Sequence, residues 1–142
     1  MSSKKQPEQQ KFVIDEDLGK GFYKALSDSN LFDCRLFSDV WPSGTDDPVW
    51  IPLAAEQNLI VITRDGRIRL DHNDVAIPEG ARIISIGSGK KPLEVAEWFI
   101  ASQAIIERFV RKNEAPFFAR FNTPTPKEIA TKIRPKGKIR RQ

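Results

Sequence analysis

The chain has 142 residues, of which 39% are hydrophobic and 30% charged, which suits one compact domain with a real core and excludes two. No apolar run approaches the ~20 residues of a membrane span, and the first ten residues lack the apolar segment of a secretory signal. A single cysteine, Cys34, excludes an internal disulfide, and a single histidine leaves no Cys/His cluster for zinc. We therefore expect a cytoplasmic protein.

The net charge of +4 is unevenly distributed along the chain. Residues 120–142 carry eight basic side chains and one acid, Glu128, whereas residues 15–17 are all acidic. An acidic site beside a basic surface suits an enzyme that acts on a polyanion. The alternative is that the basic segment is merely solvated.

Apolar runs and helical stripes alternate along the chain and predict both kinds of element. The prediction for the first half is a polar lead-in (1–10), a buried strand (12–14), a helix (19–29), a strand (34–37), a loop (38–46), a helix (47–57) and a buried strand (59–62). Asp47 is the predicted N-cap of the second helix, and Pro48 is its first helical residue.

The second half continues the alternation. It predicts a strand (82–86), a loop (87–89), one long helix (92–112), an edge strand (117–121) and a basic tail with little fixed structure (122–142). Alternation of this kind predicts an α/β fold with a parallel sheet and short connections, formed by one domain over residues 11–121.

Three acids follow strands or begin helices in this scheme. Asp15 follows the first strand, Asp47 begins a helix, and Asp65 follows the strand at 59–62. The carboxyl ends of parallel strands share one edge of the sheet with the helix starts that come after them. Carboxylates gathered there repel one another, and Mg²⁺ or Mn²⁺ would relieve the repulsion. Such a metal assists attack on a phosphodiester, so the pattern favours hydrolytic nuclease chemistry.

Each acid also has a structural interpretation. Asp47 would serve as a helix cap, Asp15 as half of an ion pair, and Asp65 as the turn of a β-hairpin whose second strand is residues 67–69. Asp17 could cap the helix that follows it. The sequence leaves these alternatives open.

Further residues could support the three acids. The hydroxyl of Thr63 could hold a metal-bound water or orient a carboxylate, and Asp17 and Asp46 are supporting acids. Three arginines near Asp65, namely Arg64, Arg67 and Arg69, could bind substrate phosphates. For Arg67 and Arg69, a solvated basic edge is an equally good explanation. Trp41 and Trp50 could stack on bases or pack in the core.

Three stretches resemble the PIN-like domain of VapC-type toxins: residues 14–19 (IDEDLG), 47–54 (DPVWIPLA) and 60–69 (IVITRDGRIR). They are similar to the short group with an acid-x-x-Trp helix start and a Thr-Arg-Asp strand end. The resemblance implies a three-layer α/β/α sandwich with a central, mostly parallel sheet. It also implies a Mg²⁺- or Mn²⁺-dependent endoribonuclease whose metal-binding acids fall on Asp15, Asp47 and Asp65. Such a protein is the toxin of a type II toxin–antitoxin pair, so its expected partners are RNA, a cognate antitoxin and a second copy in a homodimer.

Two other functions remain open. The first stretch also resembles the first motif of haloacid dehalogenase-like phosphatases, in which Asp15 would be the nucleophile, Asp17 the acid/base and Thr63 the second motif. That family needs a late acidic pair, which this chain does not offer after residue 86. The third interpretation is a non-catalytic module that binds nucleic acid or a partner protein through its basic residues.

Overall fold

The computed structural model describes residues 10–65, 80–87, 91–131 and 136–142. Its strands are β1 (Lys11–Ile14), β2 (Asp33–Leu36), β3 (Leu59–Thr63), β4 (Arg82–Ile86), β5 (Phe117–Asn122) and β6 (Lys138–Arg141). Its helices are α1 (Gly19–Asp28), α2 (Phe37–Val40), α3 (Asp47–Glu56), α4 (Pro92–Ala101), α5 (Gln103–Lys112) and α6 (Pro126–Thr131), and a 3₁₀ turn (Glu16–Leu18) follows β1. None of these helices is long and apolar enough to cross a membrane.

The six strands form one sheet in the order β2-β1-β3-β4-β5-β6. Strands β1 to β5 run parallel to one another, and β6 pairs antiparallel with β5. All five residues of β3 are buried, as expected of a parallel strand with helices on both of its faces. The order places β1 between β2 and β3, so the first acid follows an inner strand.

Alternate strand residues face two separate apolar layers. Phe12, Ile60 and Ile84 pack with α1, α4 and α5 on one face of the sheet. Val13 and Val61 pack with α2 and α3 on the other. The predicted α/β class and its three-layer α/β/α arrangement are therefore confirmed.

Several helix boundaries differ from the sequence prediction. Asp46, not Asp47, is the N-cap of α3. The short helix α2 begins at Phe37, the last residue of the predicted strand 34–37, and extends into the predicted loop 38–46. The predicted long helix over 92–112 is two helices that meet at Ser102. Ser102 is fully buried, and its Oγ accepts a hydrogen bond from the Gly137 N–H (2.9 Å). The break therefore coincides with a contact to a segment distant in sequence, which helical periodicity does not encode.

The expectation of little fixed structure after residue 122 is wrong, since α6 and β6 lie in that segment. Strand β6 pairs with β5, so β5 is an inner strand and not the predicted sheet edge. Ile139 packs against the core, and Arg141 donates hydrogen bonds to Asn113 Oδ1 (3.3 Å) and the Pro116 carbonyl (2.9 Å). One apolar residue among several basic ones was too weak a signal for a strand. The lead-in over residues 1–10 lies outside the described residues, apart from Gln10.

Candidate functional site

Asp15 and Thr63 lie side by side at the carboxyl edge of the sheet. The ladder between β1 and β3 pairs Ile14 with Ile62, and it continues one step further because the Asp15 N–H donates to the Ile62 carbonyl (2.9 Å). This register sets Asp15 beside Thr63. The Thr63 Oγ1 lies 2.9 Å from Asp15 Oδ2, and the threonine is fully buried. The contact between these residues is therefore a direct product of strand pairing.

Asp17 meets the same hydroxyl from the 3₁₀ turn. Its Oδ2 lies 3.1 Å from Thr63 Oγ1, and its two carboxylate oxygens accept hydrogen bonds from the Arg64 N–H (3.2 and 3.1 Å). Burial of the carboxyl group raises the pKa of Asp17, and the negative charges of Asp15 and Asp65 raise it further. The bonds from Arg64 and Thr63 act in the opposite direction without cancelling the shift. The structure therefore brings three acids within electrostatic reach of one another.

The hydroxyl of Thr63 is shared between these acids. It accepts a hydrogen bond from the Asp65 N–H (3.0 Å) and has one proton to donate, yet carboxylate oxygens of both Asp15 and Asp17 lie within bonding distance. It can satisfy only one of them at a time. The other carboxylate must then find a different donor or a cation, and Asp17 has the Arg64 N–H as such a donor.

Asp65 lies two residues after the end of β3 and is exposed. The β-hairpin alternative for Asp65 would require a second strand alongside β3. No edge of β3 is free for it, because β1 and β4 pair with β3 on its two sides. Two of the three arginines proposed to bind phosphate, Arg67 and Arg69, lie outside the described residues. Arg64 is described, and its backbone N–H is the group that binds Asp17.

Asp47 is held by its own helix. Trp50 Nε1 donates a hydrogen bond to Asp47 Oδ1 (2.8 Å), one turn of α3 away. This hydrogen bond explains the spacing of the acid-x-x-Trp motif, because residues three apart lie on the same helix face. Asp46, at the N-cap, makes no side-chain capping bond. The helix-cap role considered for Asp47 therefore does not explain its side-chain contact, which is the hydrogen bond from Trp50.

The loop before α3 lies against the 3₁₀ turn. Ser43 Oγ donates to Glu16 Oε2 (3.3 Å), so the segment that leads to Asp47 touches the residue that follows Asp15. Residues 44–48 line an open depression of about 510 Å³ that includes Asp46 and Asp47. These two acids therefore border a surface that a substrate can reach.

The tryptophans belong to the core. Trp41 and Trp50 are 5% and 2% exposed, and both pack against Phe37, with ring centroids 5.0 and 5.7 Å apart. Stacking on an RNA base requires an accessible ring face. Of the two roles considered for these residues, the structure therefore supports core packing.

Two of the acids, Asp15 and Asp17, are placed so that they could bind a divalent cation together. Among the residues that the structure describes, no group of three or more His, Cys, Asp and Glu side chains stands close enough together to hold a metal ion. Asp15 and Asp17 do converge, through the hydroxyl that both approach. Mg²⁺ is usually held by one or two carboxylates together with water and substrate phosphates, so an all-oxygen pair suits it. The three-acid set Asp15, Asp47 and Asp65 remains a prediction.

The sequence predicts only a supporting role for Asp17, whereas in the structure its carboxylate contacts Thr63, as that of Asp15 does. A residue two positions after the end of a strand has no assigned direction until the backbone beyond the strand is known. The 3₁₀ turn brings its carboxylate back over the end of β3. An Asp-x-Asp pair directly after a buried strand was the available signal.

A family model described as "PIN like domain" matches residues 10–86, which is more than half of the chain and includes β1 to β4 with the acids between them. No curated protein and no solved structure matches the chain.

Proposed function

The chain belongs to the PIN-like domain family, and from that membership we propose that it is a divalent-metal-dependent endoribonuclease. The observation that carries the proposal is the convergence of Asp15 and Asp17 on Thr63, with Asp65 next to them. Burial raises the pKa of Asp17, and the negative charges of Asp15 and Asp65 raise it further, so keeping this carboxyl ionised carries a cost. A hard cation would remove it, which makes the cluster a reasonable metal site.

In this proposal Asp15 and Asp17 hold Mg²⁺ or Mn²⁺, and Asp65 and Asp47 add negative charge around it. Such a cation would supply positive charge to the phosphodiester and would make water a better nucleophile. Thr63 orients the two carboxylates, and the Arg64 N–H fixes Asp17. Trp50 keeps Asp47 in one orientation. The side chains of Arg64, Arg67 and Arg69 are proposed to bind substrate phosphates.

We further propose that the protein is the toxin of a type II toxin–antitoxin pair in the cytoplasm. The support is the resemblance of its Asp-x-x-Trp and Thr-Arg-Asp stretches to that group of PIN-like domains. A cognate antitoxin would then act by covering the acidic edge of the sheet, and a homodimer is the proposed assembly. Co-expression that restores growth to a strain arrested by this protein would identify the antitoxin.

The deciding experiment is RNA incubation with Mg²⁺ or Mn²⁺, with and without EDTA. Wild type, Asp15→Asn, Asp17→Asn and Asp65→Asn are compared with Asp28→Asn. Asp28 is the matched control because it pairs with Lys24 on the surface at the end of α1. We expect metal-dependent cleavage in wild type and the control, and none in the other three. Full activity in Asp15→Asn would remove the metal-site proposal.

One observation also favours a phosphatase. In the haloacid dehalogenase-like arrangement, a threonine at the end of a neighbouring strand stands beside the Asp-x-Asp pair, as Thr63 does here. Asp15 would then form a covalent phosphoryl intermediate. Mass spectrometry after treatment with a small phosphoryl donor distinguishes the two reactions, because only the phosphatase would carry phosphate on Asp15. If the protein binds RNA and leaves it uncut with Mn²⁺, the non-catalytic module is the remaining function.

A further inference from the structure

Arg120 lies in register with the acidic site, two strands away. Strand pairing sets Thr63 opposite Ser85, and Ser85 opposite Arg120. Directly paired residues face the same side of a sheet, so Arg120 shares a face with Thr63 at a backbone distance of about 10 Å. Unlike the threonine, Arg120 is exposed.

The guanidinium of Arg120 is held at the same edge of the sheet as the acids. Its Nε donates a hydrogen bond to Asn122 Oδ1 (3.3 Å). A Cβ placed on Gly87, just beyond β4, would lie 3.3 Å from Arg120 Nη2 and 3.0 Å from Asn122 Oδ1. Both side chains therefore cover the backbone of Gly87, and the arginine leans across the end of β4 toward the end of β3.

A second arginine faces the first. Arg140 on β6 is directly opposite Arg120 and is also exposed. Like charges directly opposite each other destabilise a strand pair. Within the described ranges neither arginine forms an ion pair with a carboxylate, whereas the neighbouring Lys138 is paired with Glu128 (3.2 Å). An anion between the two arginines would relieve their repulsion.

We propose that Arg120 and Arg140, here called the arginine pair, bind the RNA phosphates next to the one that is cleaved. This inference rests on the proposed nuclease function and names a contact surface for its substrate. The RNA strand would run along the carboxyl edge of the sheet, from the acids at β1 and β3 across β4 to β5 and β6. A polyanion fits this path because the acids can take a phosphate only through a cation, whereas the arginines take one directly. Asn122 and Gly87 act as positioning residues for Arg120.

The test measures binding and cleavage separately. A fluorescein-labelled single-stranded RNA is titrated with the full chain in EDTA, where no cleavage occurs, at several salt concentrations. The variants are Arg120→Gln, Arg140→Gln and Gly87→Ala, in which the added methyl crowds the side chains of Arg120 and Asn122. Arg108→Gln is the control, because Arg108 is exposed on α5, whose buried residues pack on the opposite face of the sheet, and its loss changes the net charge equally. Urea unfolding confirms that each variant is folded.

We expect each arginine variant to bind about tenfold more weakly than the control. The slope of log affinity against log salt should fall by about 0.7 for each lost contact. Gly87→Ala should weaken binding in the same direction. If both arginine variants bind RNA as tightly as Arg108→Gln, the arginine pair is not a substrate contact, and metal-dependent cleavage by wild type would still support the nuclease. If binding depends on the arginines but wild type never cleaves, the pair stands and the nuclease proposal falls.

Discussion

Thr63 Oγ1 lies 2.9 Å from Asp15 Oδ2, although 48 residues separate the two in the chain. The contact comes from the pairing of β1 with β3, which places the end of each strand beside the other. The Asp17 carboxylate and the Asp65 backbone N–H then contact the same hydroxyl from the segments that follow those strands. One threonine thus contacts the carboxylates of Asp15 and Asp17 and the backbone of Asp65, and its removal is the most direct test of the site.

Thr63→Val should reduce metal-dependent RNA cleavage by about 10- to 100-fold, the usual effect of losing a group that orients metal-binding side chains. Valine preserves the shape of the buried side chain but offers no hydrogen bond to Asp15 or Asp17. The measurement is the initial rate at a series of Mn²⁺ concentrations. Thr63→Ser, which keeps the hydroxyl, should retain most of the activity. A fully active valine variant would show that the hydroxyl does not orient the acids.

Mg²⁺ should stabilise the folded protein independently of any cleavage. A cation that binds only the folded state adds about 2.7 kcal/mol to the free energy of unfolding at a concentration 100 times its dissociation constant. Thermal melts of wild type should therefore shift upward with Mg²⁺. The shift should be smaller in Asp15→Asn and unchanged in Asp28→Asn. Equal shifts in all three proteins would place the bound ion elsewhere.

The hydrogen bond between Trp50 and Asp47 should be measurable in a double-mutant cycle. Trp50→Phe removes the indole N–H and Asp47→Ala removes its acceptor. We expect a coupling of about 1 kcal/mol in the free energy of unfolding, because the two residues contact each other directly. Urea denaturation of the wild type, the two single variants and the double variant gives the value. Additive losses would mean that the bond does not contribute to stability.

Cys34 should react slowly with alkylating reagents at neutral pH. Burial raises the pKa of its thiol from 9.0 to about 11, with Asp33 adding to the shift, and only the thiolate is a good nucleophile. The iodoacetamide rate should rise up to about pH 11 in the folded protein and level off near pH 9 in urea. Since the folded state holds the proton more tightly, the stabilisation from this group is complete below pH 9 and is lost as the pH rises through 11. Rapid modification at pH 7 would contradict this assignment.

Ser102→Ala should lower the free energy of unfolding by about 1–3 kcal/mol, because the buried Gly137 N–H loses its acceptor. Amide hydrogen exchange at Gly137 should accelerate as well, which links the effect to this bond. Ser38→Ala is a suitable control, since Ser38 is exposed on α2. If the two alanine variants are equally stable, the bond from Gly137 does not hold β6 against the helices.

The parallel core of the fold could be predicted because its strands are continuous apolar runs, such as residues 59–62. What the sequence did not predict depends on contacts between distant residues. The division of the long helix involves Ser102 and Gly137, and the place of β6 is set by pairing with β5. Local hydrophobic pattern carries no information about such partners.

For the site, the sequence predicts that Asp15 and Asp65 follow parallel strands and lie at the same edge of the sheet, whereas the pairing of those strands is known only from the structure. The importance of Asp17 could not be predicted in this way, because it depends on the 3₁₀ turn that points its carboxylate at Thr63. The sequence places Arg120 in a predicted edge strand and among the basic residues of the last segment, without a role at the site. Its alignment with Thr63 appears when the registers of β3, β4 and β5 are known.

The separation between Asp15 and Thr63 also has a consequence for folding. A contact over 48 residues forms only after the intervening chain has closed into a loop, so no local fragment of the chain holds a partly built site. Loss of activity and global unfolding should therefore have the same urea midpoint. A peptide that ends before β3 would contain the acidic stretch at residues 15–17 and lack the contact with Thr63.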